Sequence, residues 1–174
     1  MSRIVNLEEG RLFIAAKKGY RNWVSHFGEC FGVNTKLSEV SKTTLAYLAQ
    51  GKDKGTFYLY DLIMNLDRLG SGFEFNELDA LNKMKVIDRY LFLLDRIRFE
   101  SMKRLGWIDD YPGEASSIVE LVTRFDELAP GLQAKTPTLS RSHSGYREFA
   151  ALNAFDREAY VRRLIPKILQ KIQD

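Results

Sequence analysis

Apolar residues recur at intervals of three and four along most of the chain, which is the period of an amphipathic α-helix. Caps, glycines and prolines divide these stretches into five or six helices. For example, Ser41 can cap a helix at residues 42–50, which Gly51 ends. No segment shows the two-residue alternation that is typical of a half-buried strand. The pattern predicts an all-α bundle that forms a single domain over residues 1–174.

The longest predicted helix spans about residues 77–106 and occupies the centre of the bundle. Neither Gly nor Pro interrupts the chain between Asn76 and Gly106. At 100° per residue, the apolar side chains of this helix form a stripe centred on Leu91. We expect this stripe to face the core.

Three charged residues, Asp88, Asp95 and Arg98, fall inside the stripe centred on Leu91. An isolated buried ion is costly, so residues in these positions must be paired or hydrogen-bonded. Asp95 and Arg98 are three residues apart, close enough to pair, and we expect both to be largely buried. The three residues therefore form either a structural polar network or the polar lining of a ligand pocket.

Other polar residues on helix faces are further candidates for ligand binding or for a polar network. Asp61 and Arg68 share one narrow face of a helix at 56–69, and His26 flanks the apolar stripe of the first helix. His26 and Cys30 have a spacing at which two metal ligands can meet. A structural zinc site would need two more ligands and the chain has no second cysteine. We therefore predict no metal site and expect Cys30 to be a small buried apolar residue.

Residues 131–145, with the sequence GLQAKTPTLSRSHSG, are small, polar and basic, and they show no helical periodicity. Such a segment has little apolar surface to offset the entropy lost when a chain becomes ordered. We therefore expect a mobile loop here.

The composition is that of a folded, water-soluble protein. The 174 residues are 45% apolar and 28% charged, which excludes global disorder. There is no apolar run long enough for a membrane-spanning helix, so we expect no membrane insertion. A single cysteine cannot form an internal disulfide, which favours a cytoplasmic location.

Charge is distributed unevenly along the chain. Residues 1–60 and residues 132–174 each contain four more Lys and Arg than Asp and Glu, whereas residues 61–131 contain five fewer. The ends either complement the acidic middle within the fold or form a basic surface for nucleic acid or anionic lipid. The nucleic-acid interpretation depends on four cations, namely Lys42, Lys52, Lys54 and Arg141.

One stretch has a family resemblance. The sequence VSKTTLAYLAQGKDKGTFYLYDLIMNLDRLG at residues 40–70 resembles the second half of a Cro/repressor-type helix-turn-helix domain. The resemblance implies that the short helix ending at Gly51 is the recognition helix and that the core contains Leu45, Leu48, Leu62 and Leu66. The preceding residues, CFGVNTKLSE, depart from the Gln-x-x-Leu-Ala-like segment of that family.

No motif indicates a catalytic centre or a cofactor. We therefore expect a non-catalytic cytoplasmic domain that binds a protein partner or a small ligand. One alternative is a helix-turn-helix-like regulator that binds nucleic acid. A second alternative is an enzyme with an Asp/Arg pocket in the bundle interior. The sequence does not determine the oligomeric state.

Overall fold

The computed structural model describes residues 6–173, and these residues form ten α-helices and no β-sheet. The helices are α1 (Leu7–Gly19), α2 (Arg21–Phe27), α3 (Lys42–Ala49), α4 (Asp53–Leu66), α5 (Ala80–Arg104), α6 (Ile118–Thr123), α7 (Phe125–Gln133), α8 (Tyr146–Ala150), α9 (Ala154–Arg163) and α10 (Ile165–Gln173). The prediction of an all-α fold with one long central helix is confirmed, and the domain is single and compact.

The helices outnumber the predicted five or six because several apolar stretches contain a break in the helix. The first stretch divides at Tyr20 into α1 and α2, and α2 ends at Gly28, which has a left-handed backbone with φ of +69°. The last stretch divides at Leu164 into α9 and α10. Pro166 then lies in the first turn of α10, where its missing amide hydrogen breaks no helical bond.

The long helix α5 has 25 residues and begins three residues later than predicted. Asp79 is its N-cap, because the Asp79 carboxylate accepts a hydrogen bond from the backbone amide of Asn82 at 2.8 Å. Asn76, the expected start, lies in the 3₁₀ turn Gly72–Glu77. No helix of the described chain, α5 included, is long and apolar enough to cross a membrane.

The buried apolar residues form two clusters, and α5 contributes to both. The larger cluster collects side chains from α1 to α7, including Trp23, Leu62 and Leu93. The smaller cluster joins the C-terminal half of α5, through Phe99 and Met102, to residues from the last third of the chain. Residues that follow α7 are therefore held against α5 by a core of their own.

The segment between α7 and α8, residues 134–145, begins later than the predicted loop because α7 continues through Pro130 to Gln133. Leu139, in the middle of this segment, is fully buried in the smaller cluster. Its neighbours also form backbone bonds with the chain after α5, including one of 2.9 Å from the Ser140 amide to the Trp107 carbonyl. The segment is thus anchored at one apolar side chain, and its mobility stays a prediction.

Candidate ligand-binding site

The apolar stripe of α5 leaves the core in the N-terminal half of the helix. There Leu91 is 52% exposed, Met84 62% and Ile87 37%. In the C-terminal half the stripe is buried, at Leu94 and Met102. The prediction that the stripe packs in the core is therefore wrong for the N-terminal half. The physical reason is that this half contributes only to the larger core cluster, whereas the C-terminal half contributes to both clusters and is covered on more than one side.

The three charged residues inside this stripe have separate environments. Asp88 is exposed. Asp95 binds Arg162 of α9, with Oδ2 lying 3.0 Å from Nη2. Arg98 is half-buried and donates from Nε to the carbonyl oxygen of Ala49 at the end of α3, at 2.9 Å. Asp95 and Arg98 thus each contact a neighbouring helix, and Asp95 pairs with Arg162 and not with Arg98.

The face of α5 opposite the stripe, which we expected to lie in solvent, carries buried charges. Most of these charges have partners. Arg89 lies on this face, with its Nε 2.9 Å from Oδ2 of Asp67. Glu100 accepts hydrogen bonds from Nε of Arg104 at 3.0 Å and from the hydroxyl of Tyr111 at 2.8 Å. Such pairing is what burial of a charge requires.

Arg96 is the exception among the buried charges of α5. The residue is only 3% exposed, yet none of the ion pairs formed within residues 6–173 includes it. Its Nη1 donates to the carbonyl oxygen of Pro112 at 2.7 Å, and its Nε has no acceptor. Burial lowers the pKa of Arg96 to about 10.

Two aromatic rings hold the Arg96 guanidinium in place. Its central carbon lies 4.6 Å from the ring centre of Phe92 and 5.3 Å from that of Phe99. Both distances allow attraction between the cation and the π-electrons. The rings come from positions four before and three after Arg96, so α5 itself builds this support.

Arg96 lines a cavity of about 250 Å³ between α5, α9 and the chain that follows α7. We call it the Arg96 cavity. Its lining consists of three cations, three other polar residues and three apolar residues, namely Arg96, Lys135 and Arg162; Gln133, Thr136 and Glu158; and Phe99, Pro137 and Val161.

The charges of the Arg96 cavity do not cancel. Arg162 is neutralised by Asp95 at 3.0 Å and by Glu158 at 3.3 Å. Arg96 and Lys135 form no ion pair within the described chain, which leaves the cavity with an excess of positive charge. The amide of Gln133 adds a further hydrogen-bond donor. Such an arrangement suits a small anion, because guanidinium groups bind carboxylate and phosphate oxygens through strong charge-assisted hydrogen bonds.

A larger and more open cavity, of about 650 Å³, lies beside His26 between α2, α3 and α10. Nδ1 of His26 lies 2.7 Å from the hydroxyl oxygen of Tyr58. The only carboxylate that lines this cavity belongs to Glu29, which already accepts hydrogen bonds from the Ser41 and Thr44 hydroxyls at the start of α3. The Glu29 carboxylate is therefore engaged in holding α3, whereas Arg96 has an unused donor.

The remaining candidates from the sequence, Asp61 and Arg68, make contacts that hold the helices together. Asp61 is buried and accepts hydrogen bonds from the Asn22 side chain and from the Gly72 amide, at 3.0 and 2.8 Å. Arg68 is exposed and pairs with Glu8 at 3.0 Å. These contacts tie α4 to α2, to the 3₁₀ turn and to α1.

Cys30 departs from its expected place, because it lies beyond the end of α2 and is exposed. The helix that would have carried it inward stops at Phe27. Within residues 6–173 no group of three or more His, Cys, Asp or Glu side chains is arranged to hold a metal ion.

The four cations proposed for nucleic acid are all exposed, but they do not lie together on one element. Lys42 begins α3, whereas Lys52 and Lys54 lie beyond its other end, and Arg141 belongs to the segment before α8. The helix-turn-helix resemblance is limited to α3 and α4, because the chain between α2 and α3 forms no α-helix and only a 3₁₀ turn at Leu37–Glu39. The implied core residues are nevertheless buried, namely Leu45, Leu48, Leu62 and Leu66.

Arg96 and Lys135 are the residues that sequence reasoning missed. At 100° per residue, Arg96 lies on the side of α5 opposite Leu91, which we expected to be solvated. A usable signal is the spacing of Phe92, Arg96 and Phe99, which brings two rings to one guanidinium on a single helix face. Nothing in the sequence relates Lys135 to Arg96, because their proximity depends on how the chain after α7 returns to α5.

The comparisons with known proteins found no similar protein. No protein-family model matches the chain, and no curated protein or solved structure is detectably similar to it. Any functional inference therefore depends on the site itself.

Proposed function

We propose that this protein is a non-catalytic cytoplasmic binding domain that takes a small anionic ligand in the Arg96 cavity. The ligand would bind through a phosphate or carboxylate group. The observation that carries the proposal is a guanidinium that is almost fully buried, lacks a carboxylate partner and lines a cavity beside Lys135. The single cysteine, which is an exposed free thiol, is compatible with a reducing compartment.

The energetic argument rests on the cost of burying Arg96. A pKa lowered to about 10 means that the folded protein disfavours the charged form of this side chain. This lowering corresponds to about 3 kcal/mol. An anion in the cavity would offset part of this cost, because it would supply the countercharge and accept the free Nε–H. The bond to Pro112 and the two rings already fix the guanidinium, so binding would not have to order Arg96.

The residues around the cavity support binding rather than catalysis. No Ser, Cys or His is among the lining residues, and the one hydroxyl among them belongs to Thr136. The one lining carboxylate, that of Glu158, is engaged with Arg162. The arrangement therefore holds an anion without a group that would activate a nucleophile.

Titration calorimetry with inorganic phosphate, sulfate, acetate and citrate tests the proposal at a constant ionic strength set with chloride. We expect saturable binding of at least one of these anions, with an affinity in the micromolar to millimolar range, that is about −8 to −4 kcal/mol. Preference for phosphate and sulfate would indicate a phosphate ligand, and preference for acetate or citrate would indicate a carboxylate. Absence of saturable binding by all four would contradict the proposal.

Three variants locate the binding. Lys135→Gln should weaken binding about tenfold, since loss of one charge-assisted contact is worth about 1.4 kcal/mol or more. Arg141→Gln is the matched control, because it removes the same charge from an exposed position in the same segment, outside the cavity. Arg96→Met should abolish binding in a protein that remains folded. Equal effects of the Lys135 and Arg141 substitutions would show that the anions bind by diffuse attraction only.

A further inference from the structure

The exposed stripe of α5 is a second feature that the fold itself does not explain. Leu81, Met84, Ile87 and Leu91 are 65%, 62%, 37% and 52% exposed. We call these four residues the α5 stripe. They follow one another at intervals of three, three and four, so they form a single continuous row on one helix face.

The α5 stripe is large enough to act as an interface. Ten residues of helix separate its ends, a length of about 15 Å. The four exposed fractions correspond to about 400 Å² of side-chain surface, within the range in which apolar patches of monomers are often functional. No described element covers this row, although the same helix is buried on its other side at Val86 and Tyr90.

We propose that the α5 stripe binds a second copy of this protein, with the two α5 helices packed antiparallel about a twofold axis. The twofold axis would pass close to position 86, the midpoint of the stripe. Residues whose numbers sum to about 172 then lie opposite each other, so Leu81 meets Leu91 of the second copy. In this arrangement the apolar row of one copy packs against the same row of the other copy, as an isologous interface requires.

Two charges on one side of the helix favour an antiparallel over a parallel arrangement. Asp88, inside the stripe, and Lys85, just outside it, are exposed and lie on the same side of Leu91 at 100° per residue. In an antiparallel pair of helices, each flank faces the equivalent flank of the other copy. Lys85 and Asp88 of the two copies then lie at the same level, because their numbers sum to 173, and two symmetric ion pairs form.

A parallel pair would instead bring opposite flanks together at the same level. Lys85 of one copy would then face Lys83 of the other, which lies on the other flank. The repulsion between two lysines disfavours this pairing. The charge pattern is therefore self-complementary when two copies pack antiparallel, and it is not when they pack parallel.

The size of the interface predicts a weak dimer. Two stripes together bury about 800 Å², which is less than the 1,200 Å² or so of stable specific complexes. We expect a dissociation constant in the range of about 10 µM to 1 mM, so that dimerisation depends on protein concentration. Sedimentation velocity of the full chain over this concentration range measures it.

Charge reversal tests the geometry. Asp88→Lys and Lys85→Asp should each weaken the dimer at least tenfold, because either change places like charges opposite each other. An equimolar mixture of the two variants should associate again, since both cross-pairs become attractive in the heterodimer. The double variant with both reversals should dimerise like the wild type. Asp109→Lys, an exposed reversal outside the stripe, is the matched control and should leave the dimer unchanged.

Met84→Glu gives a second, independent test of the apolar contact. It introduces a charge at the centre of the stripe without touching the core, so circular dichroism should show an unchanged helical fold while dimerisation is lost. A wild-type protein that stays monomeric to about 1 mM would overturn the proposal. A dimer that survives Met84→Glu, or a charge-reversed mixture that stays monomeric, would overturn it equally.

Discussion

The ion pair between Asp67 and Arg89 predicts a specific dependence of stability on pH. Asp67 lies at the end of α4, and its side chain is only 18% exposed. Burial raises the pKa of Asp67 from 3.8 to about 6, outweighing the opposite effect of Arg89. Asp67 is therefore ionised and paired in the folded protein at pH 7 but carries a proton at pH 5.

The sign of the effect follows from comparing the folded and unfolded states. Below the ordinary pKa of 3.8, Asp67 is protonated in both states and contributes no pH dependence. Between 3.8 and about 6 the unfolded chain releases the proton while the folded protein keeps it, so the free energy of unfolding falls as the pH rises. The pKa difference corresponds to a loss of about 3 kcal/mol that is complete above pH 6.

The substitution Asp67→Asn removes this titration and keeps the shape of the side chain. Urea unfolding of the wild type and the variant at about pH 4 and about pH 7 measures the effect. We expect the variant to gain about 2–3 kcal/mol relative to the wild type between these two pH values. The attraction of Arg89 for the ionised carboxylate is already contained in the pKa of Asp67, so it adds no separate penalty to this comparison.

Asp126→Asn is the matched control for this experiment. Asp126 also contacts Arg89, at 3.5 Å, but its side chain is 88% exposed. Solvent screens such a pair, so the control should show the pH dependence of the wild type. The reasoning about burial is refuted if the difference between the wild type and Asp67→Asn is the same at pH 4 and pH 7.

Three further predictions follow from single contacts. Arg98→Ala should lower the free energy of unfolding by about 1–2 kcal/mol in urea melts, because it removes one charged hydrogen bond to the end of α3 but strands no carboxylate. Tyr111→Phe should cost about 1–3 kcal/mol in the same assay, since buried Glu100 loses a hydrogen-bond donor. Limited proteolysis with trypsin should cut first after Lys135 or Arg141, which are exposed and lie outside the helices, and first cuts within α4 or α5 would contradict this.

Local signals allowed much of the fold to be predicted from the sequence. Ser41 caps α3 through a hydrogen bond from the Thr44 amide, at 3.2 Å. Pro166 marks the restart of the last helix, and the run without Gly or Pro gives α5. Each of these features depends on backbone chemistry within about one helical turn, which the sequence contains directly.

The face of α5 could not be predicted in the same way, because burial depends on neighbours that are distant in sequence. Leu91 and Arg96 lie on opposite sides of the helix, and periodicity assigns the apolar side to the core. In the fold Leu91 is half exposed and Arg96 is buried. A helical wheel assumes that the same side of a helix is buried along its whole length, whereas the buried side differs between the two halves of α5.

The other buried charges of α5 indicate why a guanidinium at position 96 is explained by a ligand. The fold provides carboxylate or hydroxyl partners for Arg89 and Glu100, so it is able to satisfy buried charges on α5. A methionine at position 96 would pack between Phe92 and Phe99 without the cost of desolvating a charge. Packing alone therefore favours an apolar residue there, and a bound anion accounts for the cation. A variant Arg96→Met that is about as stable as the wild type but binds no anion would separate these two contributions.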